Sequence, residues 1–240
     1  MATATKTSAA KAKPGSAKRK EQSSIGLWLI GGAVLILALV VIILIVNQNQ
    51  AVIPVAAPEV AAEWVQGTAM GNPAAAVTIQ MWEDFLCPAC QQWNAQVKPQ
   101  LMEEFVKTGL VRMEFHQFPL NQHAPGAQMG AQASLCAADQ NQFWPYHDQL
   151  FQAASTRGQA GMTYDSMIRY ATELGLDSAA FTQCLNTLAH QNDVVESLNQ
   201  ATELALSSTP SIIINGKLMS SPFNYNELKA EIESHLAASN

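Results

Sequence analysis

From Ile25 to Val46 the chain reads IGLWLIGGAVLILALVVIILIV, an apolar run without one charged side chain. At about 1.5 Å per residue such a run is long enough to cross a hydrocarbon layer of roughly 30 Å, so the pattern predicts a transmembrane helix over 25–46. The text that follows, rich in Asn, Gln, Ala, Pro and Val, has no periodicity and reads as a linker over 47–60. At Val77 the pattern changes. VTIQMWEDF alternates, with Val77, Ile79, Met81 and, if the strand runs on, Glu83 on one face and Thr78, Gln80, Trp82 and Asp84 on the other, as a strand requires. Trp93, Val97, Leu101 and Phe105 then recur every four positions, one side of a helix that Pro99 should kink and Gly109 should cap. LVRMEFHQF from Leu110 alternates again. Strand, helix, strand in so short a span implies a parallel pair joined by a right-handed crossover.

Between about 121 and 206 the text is rich in Ala, Gln and Leu at helical spacing and predicts four or five helices. Thr163 and Asp177 stand where N-caps belong, and Gly175 interrupts the pattern between them. Strand text returns at SIII from Ser211, and Asn215-Gly216 is the favoured pair for a two-residue hairpin turn. A last helix follows, with Leu228, Ile232 and Leu236 facing the sheet. The predicted class is α/β: one domain over 61–240 with a helical insertion at about 121–206.

Charge adds topology. Lys6, Lys11, Lys13, Lys18, Arg19 and Lys20 precede the apolar run against Glu21 alone, and basic flanks stay cytoplasmic during insertion. The segment 1–24 is therefore a cytoplasmic tail, the anchor is single-pass, and the domain faces outward. A signal peptide cleaved near Ala56 and Ala57 is the competing reading; the apolar run is longer than a signal core of roughly 7–15 residues. The rest of the chain carries a net charge of −11, which argues against nucleic acid as its ligand.

Four cysteines remain: Cys87, Cys90, Cys136 and Cys184. The spacing offers neither a second close pair nor a His pair, so no metal and no cofactor is expected. Cys87 and Cys90 form C-x-x-C at a strand-to-helix junction, where unpaired N–H groups and the helix dipole stabilise a thiolate. Cys87 is the expected nucleophile, and Cys90, one turn deeper, the resolving thiol. A static bridge without turnover is the bland alternative. Cys136 and Cys184 both fall in the helical block and are expected to form a structural disulfide in an oxidising compartment, with two free buried thiols or a second redox pair as alternatives. The five histidines lack ligand spacing, and Trp144, Tyr146 and Phe151 read as helical core.

EDFLCPAC (83–90), FHQFPL (115–120), FWPYHDQLF (143–151) and STPSIIINGK (208–217) together resemble the DsbA-like branch of the thioredoxin superfamily, over about 75–235. The resemblance implies a thioredoxin-like fold with a helical domain inserted after the second strand. It also implies a cis-proline at Pro210, with Thr209, Pro88 and Ala89 beside it contacting substrate. In this superfamily a buried acid often lies six residues before the nucleophile. Here that position is Met81, and Glu83 and Asp84 are expected to point elsewhere. The expected activity is oxidation of cysteine pairs in translocated proteins, with reoxidation by a quinone-linked membrane partner. A reductase or isomerase, or a non-catalytic module binding unfolded chains, are the alternatives.

Overall fold

The computed structural model describes residue 33, residues 35–42 and residues 60–239. Residues 35–42 belong to a unit of their own, Met1–Ala51, and form helix with exposed Leu, Val and Ile side chains. The remainder of the predicted span 25–46, the basic tail 1–24 and the linker up to residue 59 lie outside the described residues. Among the described residues no helix is long and apolar enough to cross a membrane.

The second unit, Val52–Asn240, is built on a six-stranded sheet in the order β1 (Val65–Gln66), β2 (Ala69–Met70), β4 (Val111–Gln117), β3 (Val77–Glu83), β5 (Ser211–Ile214), β6 (Lys217–Leu218). Its centre is β3 (Val77–Glu83) paired parallel to β4 (Val111–Gln117), in register from Val77 opposite Val111 to Glu83 opposite Gln117. The crossover between them is not one helix but three pieces. α1 (Pro88–Gln96) stops at Val97, α2 (Lys98–Leu101) restarts with Pro99 in its first turn, and a π-helical turn follows at Met102–Val106. Proline cannot donate to the carbonyl four residues back, and its ring clashes with it, so the break falls where Pro99 demands one. The apolar stripe survives the break: Trp93, Val97, Leu101 and Phe105 are all buried against the sheet. Gly109, at φ +77°, closes the segment.

The insertion contains α3 (Gly126–Ala138), α4 (Phe143–Arg157), α5 (Tyr164–Glu173), α6 (Ser178–Asn186) and α7 (Gln191–Glu203). Thr163 Oγ1 accepts from Ser166 N, and Asp177 Oδ1 accepts from Ala179 N and Ala180 N, satisfying otherwise orphaned donors at two helix starts. The chain returns through β5 (Ser211–Ile214), antiparallel to β3, and β6 (Lys217–Leu218). Asn215 and Gly216 both take positive φ in the turn between them. Asn215 also ties the hairpin to the start of β3, accepting from Thr78 N (2.8 Å) and donating to Ala76 O (3.1 Å). α8 (Tyr225–Ala238) buries Leu228 and Ile232, with Leu236 packed at the margin. A short hairpin, β1 (Val65–Gln66) and β2 (Ala69–Met70), flanks β4 and was not expected from the sequence.

The main core lies between one face of the sheet, α1, α8 and the insertion; a smaller cluster of Trp82, Ala201, Leu206 and Ile213 seals α7 to the other face.

Candidate active site at the first turn of α1

β3 ends at Glu83, and the next four residues fold back so that Cys87 becomes the N-cap of α1, with φ −69° and ψ 120°. Asp84 shapes this turn. Its carbonyl accepts from Cys87 N (3.0 Å), its Oδ1 from Leu86 N (2.7 Å) and its Oδ2 from Leu120 N (2.9 Å). His123 Nδ1 lies 2.7 Å from the same Oδ2, so one buried carboxylate joins the cysteine loop to the start of the insertion. Pro88 follows at the first helical position, where its missing N–H leaves no acceptor wanting.

Cys87 and Cys90 are both free thiols and both buried, while Pro88 is exposed and Ala89 half-buried above them. The Thr209–Pro210 peptide is cis, and Cys87 Sγ lies 3.5 Å from Thr209 O. The structure thus brings together Cys87, Pro88, Ala89, Cys90, Thr209 and Pro210. Cys136 and Cys184 lie in the insertion, bonded to each other between α3 and α6 with their Cα atoms 5.9 Å apart.

The two sulfurs are electrostatically unlike. A hydrogen bond from the Cys90 thiol, helped by Thr209 and by the backbone N–H groups of Cys90 and Ala89, outweighs burial and holds Cys87 down to about 5. At neutral pH it is a thiolate. Burial first, then the hydrogen bond to Cys87 and the charge of Glu83, push Cys90 far above the ordinary thiol range. The inner sulfur therefore keeps its proton unless a neighbour takes it.

The nearest acid is Glu83, and here the expectation from sequence needs correction: its side chain is fully buried and turned toward Cys90 and Asn94. Asn94 Nδ2 donates to Oε2 at 2.5 Å and to Cys90 O at 3.0 Å. Oε1 has no donor in regular hydrogen-bond geometry, and the Cys90 thiol is within its electrostatic reach. Burial pushes Glu83 up to about 8, with the positive charge of Lys98 and the contacts from Asn94 and Cys90 acting the other way. A strand of period two puts residue 83 on the same face as Met81, so β3 carries its acid two residues later than the position that Met81 occupies.

Lys98 is itself buried and pairs with Asp148 Oδ1 at 2.5 Å, its Nζ 5.2 Å from the Trp144 ring centroid. Burial would raise Asp148, but Lys98 and His147 hold it well below the carboxylate range. His147 is enclosed by Phe85, Phe115, Phe143, Trp144 and Phe151, and burial brings it down to about 4, so the ring is neutral. Asn94, Lys98, Trp144 and Asp148 line one cleft of about 460 Å³ between α1–α2 and α4.

The family model described as "Thioredoxin" matches residues 63–234. "Probable disulfide bond formation protein D" of Bacillus anthracis is 27% identical over 169 residues, which cover 70% of this chain and 77% of that protein. The crystal structure of oxidised BdbD from Bacillus subtilis superposes with a TM-score of 0.66 at 23% identity, covering 71% of this chain and 93% of that one. That of Chlamydia trachomatis DsbA does so with a TM-score of 0.61 at 19% identity, covering 79% and 98%. At those identities the two structural likenesses speak for the fold. With C-x-x-C at a helix start, a cis-proline beside it and a family match over most of its length, the chain belongs to the thioredoxin family and is a DsbA-like thiol-disulfide oxidoreductase.

Proposed function

We propose that the protein works outside the cytoplasm as an oxidant of cysteine pairs in translocated proteins, anchored by residues 25–46. The observation that carries this reading is the stabilised Cys87 sulfur, held between the first turn of α1 and the cis-Pro210 loop. A thiolate favoured so strongly in the reduced enzyme makes its disulfide an acceptor of electrons and makes Cys87 a good leaving group. In the forward step a substrate thiolate attacks Cys87 Sγ of the oxidised pair, and Cys90 departs as a thiolate. Protonated Glu83 gives it a proton. The substrate's second thiolate then attacks its own sulfur in the mixed disulfide, forming the substrate disulfide and releasing the Cys87 thiolate. In the reverse step Glu83 as carboxylate accepts the Cys90 proton. Thr209, with Pro88 and Ala89 at the rim, lies where an extended substrate segment would pair beside Cys87. A quinone-linked membrane protein that takes two electrons from the reduced pair closes the cycle.

Two measurements test the reading. Cys90→Ser should accumulate covalent adducts between Cys87 and cysteine-containing proteins; their absence, in a folded variant, removes the catalytic assignment. Equilibration with glutathione should place the Cys87–Cys90 couple near roughly −120 to −180 mV, whereas a value near roughly −270 mV makes the protein a reductase, and no reversible titration makes the pair a static bridge.

A further inference from the structure

The insertion holds a second group of chemically capable side chains, away from Cys87. Cys136 and the C-cap residue Asp139 come from the end of α3, Cys184 from α6, and His190, with Asp193 one turn on, from the start of α7. The two sulfurs and a ring nitrogen of His190 all lie within 4.8 Å of one another. Asp139 Oδ2 is 2.8 Å from His190 Nε2 and 3.7 Å from Cys184 Sγ. Asp193 Oδ2 lies 2.6 Å from the other ring nitrogen, Nδ1.

Two sulfurs, one imidazole and one carboxylate make a donor set that suits zinc, and the set is supported from outside. A metal-binding histidine characteristically gives its second N–H to a carboxylate, which fixes the ring and its tautomer; Asp193 stands in that position, leaving Nε2 turned toward Asp139 and the sulfurs. Zinc bonds of about 2.3 Å to sulfur and about 2.0 Å to nitrogen in a tetrahedron put the thiolates roughly 3.8 Å apart and each roughly 3.5 Å from the nitrogen. Cysteines with Cα atoms 5.9 Å apart reach that separation by side-chain rotation. Cys136 is buried, Cys184 and His190 are half-buried, and the Asp139 side chain is largely exposed, which leaves one open side for entry. The six-residue interval from Cys184 to His190 and the distant Cys136 hide this group from a reading of spacing; the helix packing assembles it.

We propose that, once the Cys136–Cys184 bond is reduced, the two thiolates, His190 and Asp139 bind one Zn²⁺, so that α3, α6 and the start of α7 stay joined in either redox state. A dithiol, protein-borne or small, supplies two electrons and two protons: its thiols become a disulfide, and Cys136 and Cys184 become thiols. Zn²⁺ then displaces both thiol protons to solvent. In the oxidised state the sulfurs are spent on each other and the site is closed to metal.

The test uses the full chain in detergent with Cys87→Ser and Cys90→Ser, so that no other thiols compete. Reduced anaerobically, this protein should bind one equivalent of Co²⁺ with the intense bands of a tetrahedral thiolate centre, which Zn²⁺ then displaces; the oxidised protein should show none. Zinc should raise the thermal transition of the reduced form only. His190→Ala and Asp193→Asn, both outside the core, should each weaken binding by about 10-fold or more. A reduced chain that binds no metal, or that zinc leaves unfolded by circular dichroism, overturns the proposal. So does equal binding by the oxidised form or by His190→Ala.

Discussion

At the scale of single residues, the contrast between Cys87 and Cys90 comes from which partners each sulfur has. Cys87 collects donors, and Cys90 is buried beside a carboxyl. For Glu83, with a value raised from 4.5 to about 8, the neutral form is the one the fold favours. The stability it lends is complete below pH 4.5 and is lost as pH rises through 8. Glu83→Gln should therefore unfold at higher denaturant than the parent at pH 9, with the advantage gone near pH 4. The same variant should slow the attack of Cys90 on a mixed disulfide at Cys87 by roughly 100-fold at pH 7, the lower part of the range for general acid–base residues. In stopped-flow release of a small thiol, the parent rate should rise through an inflection near pH 8, and Glu83→Gln should lack it; an unchanged profile would show that Glu83 handles no proton. Cys87, lowered from 9 to about 5, acts in the opposite sense: its contribution to the reduced form is present above pH 9 and lost as pH falls through 5.

Elements extend these effects. Lys98 on α2 reaches across to Asp148 on α4 and also bears on Glu83, so the crossover helices and the insertion share one buried cation. Lys98→Met leaves the largely buried Asp148 with the neutral His147 and without its cation, and should cost about 3–5 kcal/mol, read from chemical denaturation. It should also move the Glu83 inflection to higher pH, because the charge that opposed protonation is gone. The bond between α3 and α6 spans 48 residues. Replacing Cys136 and Cys184 by Ser should lower stability by about 4 kcal/mol from loop entropy and leave the Cys87–Cys90 turnover of the folded variant intact. If turnover collapses instead, the second pair carries electrons. Most elements were legible because each announces itself locally: the four-residue stripe of α1–α2, the Asp177 cap and the Asn215-Gly216 turn need no distant partner. The β1–β2 hairpin did not, since strands of two residues carry no period. Glu83 was misjudged for a related reason. Its alternation with Met81 put it on the inward face, but it lies two residues past the superfamily's usual position for the acid, and only the packing of α1 and Asn94 over it brings it to Cys90. His123 and Asp84 meet across 39 residues, a distance that spacing cannot bridge.

For the whole molecule, the proposed anchor and the catalytic unit make separable claims. If residues 25–46 span the membrane, the full chain should stay with the membrane fraction through alkaline washing, and a protease added outside intact spheroplasts should digest the catalytic domain while the tail before residue 25 survives. Recovery in the soluble fraction of a shortened chain that begins near Ala57 would instead fit cleavage near Ala56.

The sheet itself has one more consequence. Its outermost strands, β1 and β6, are two residues each, and Lys217 sits in the second, largely exposed and paired at its charged end with Glu231. Free strand borders recruit other chains, and short, charged ones resist it. A protein that meets client chains before they have folded runs the risk of being enrolled in their aggregates. Among the described residues a client finds no long ladder to extend on either border, and if the proposed function holds, its backbone pairs instead beside Cys87, where pairing leads to chemistry and then to release.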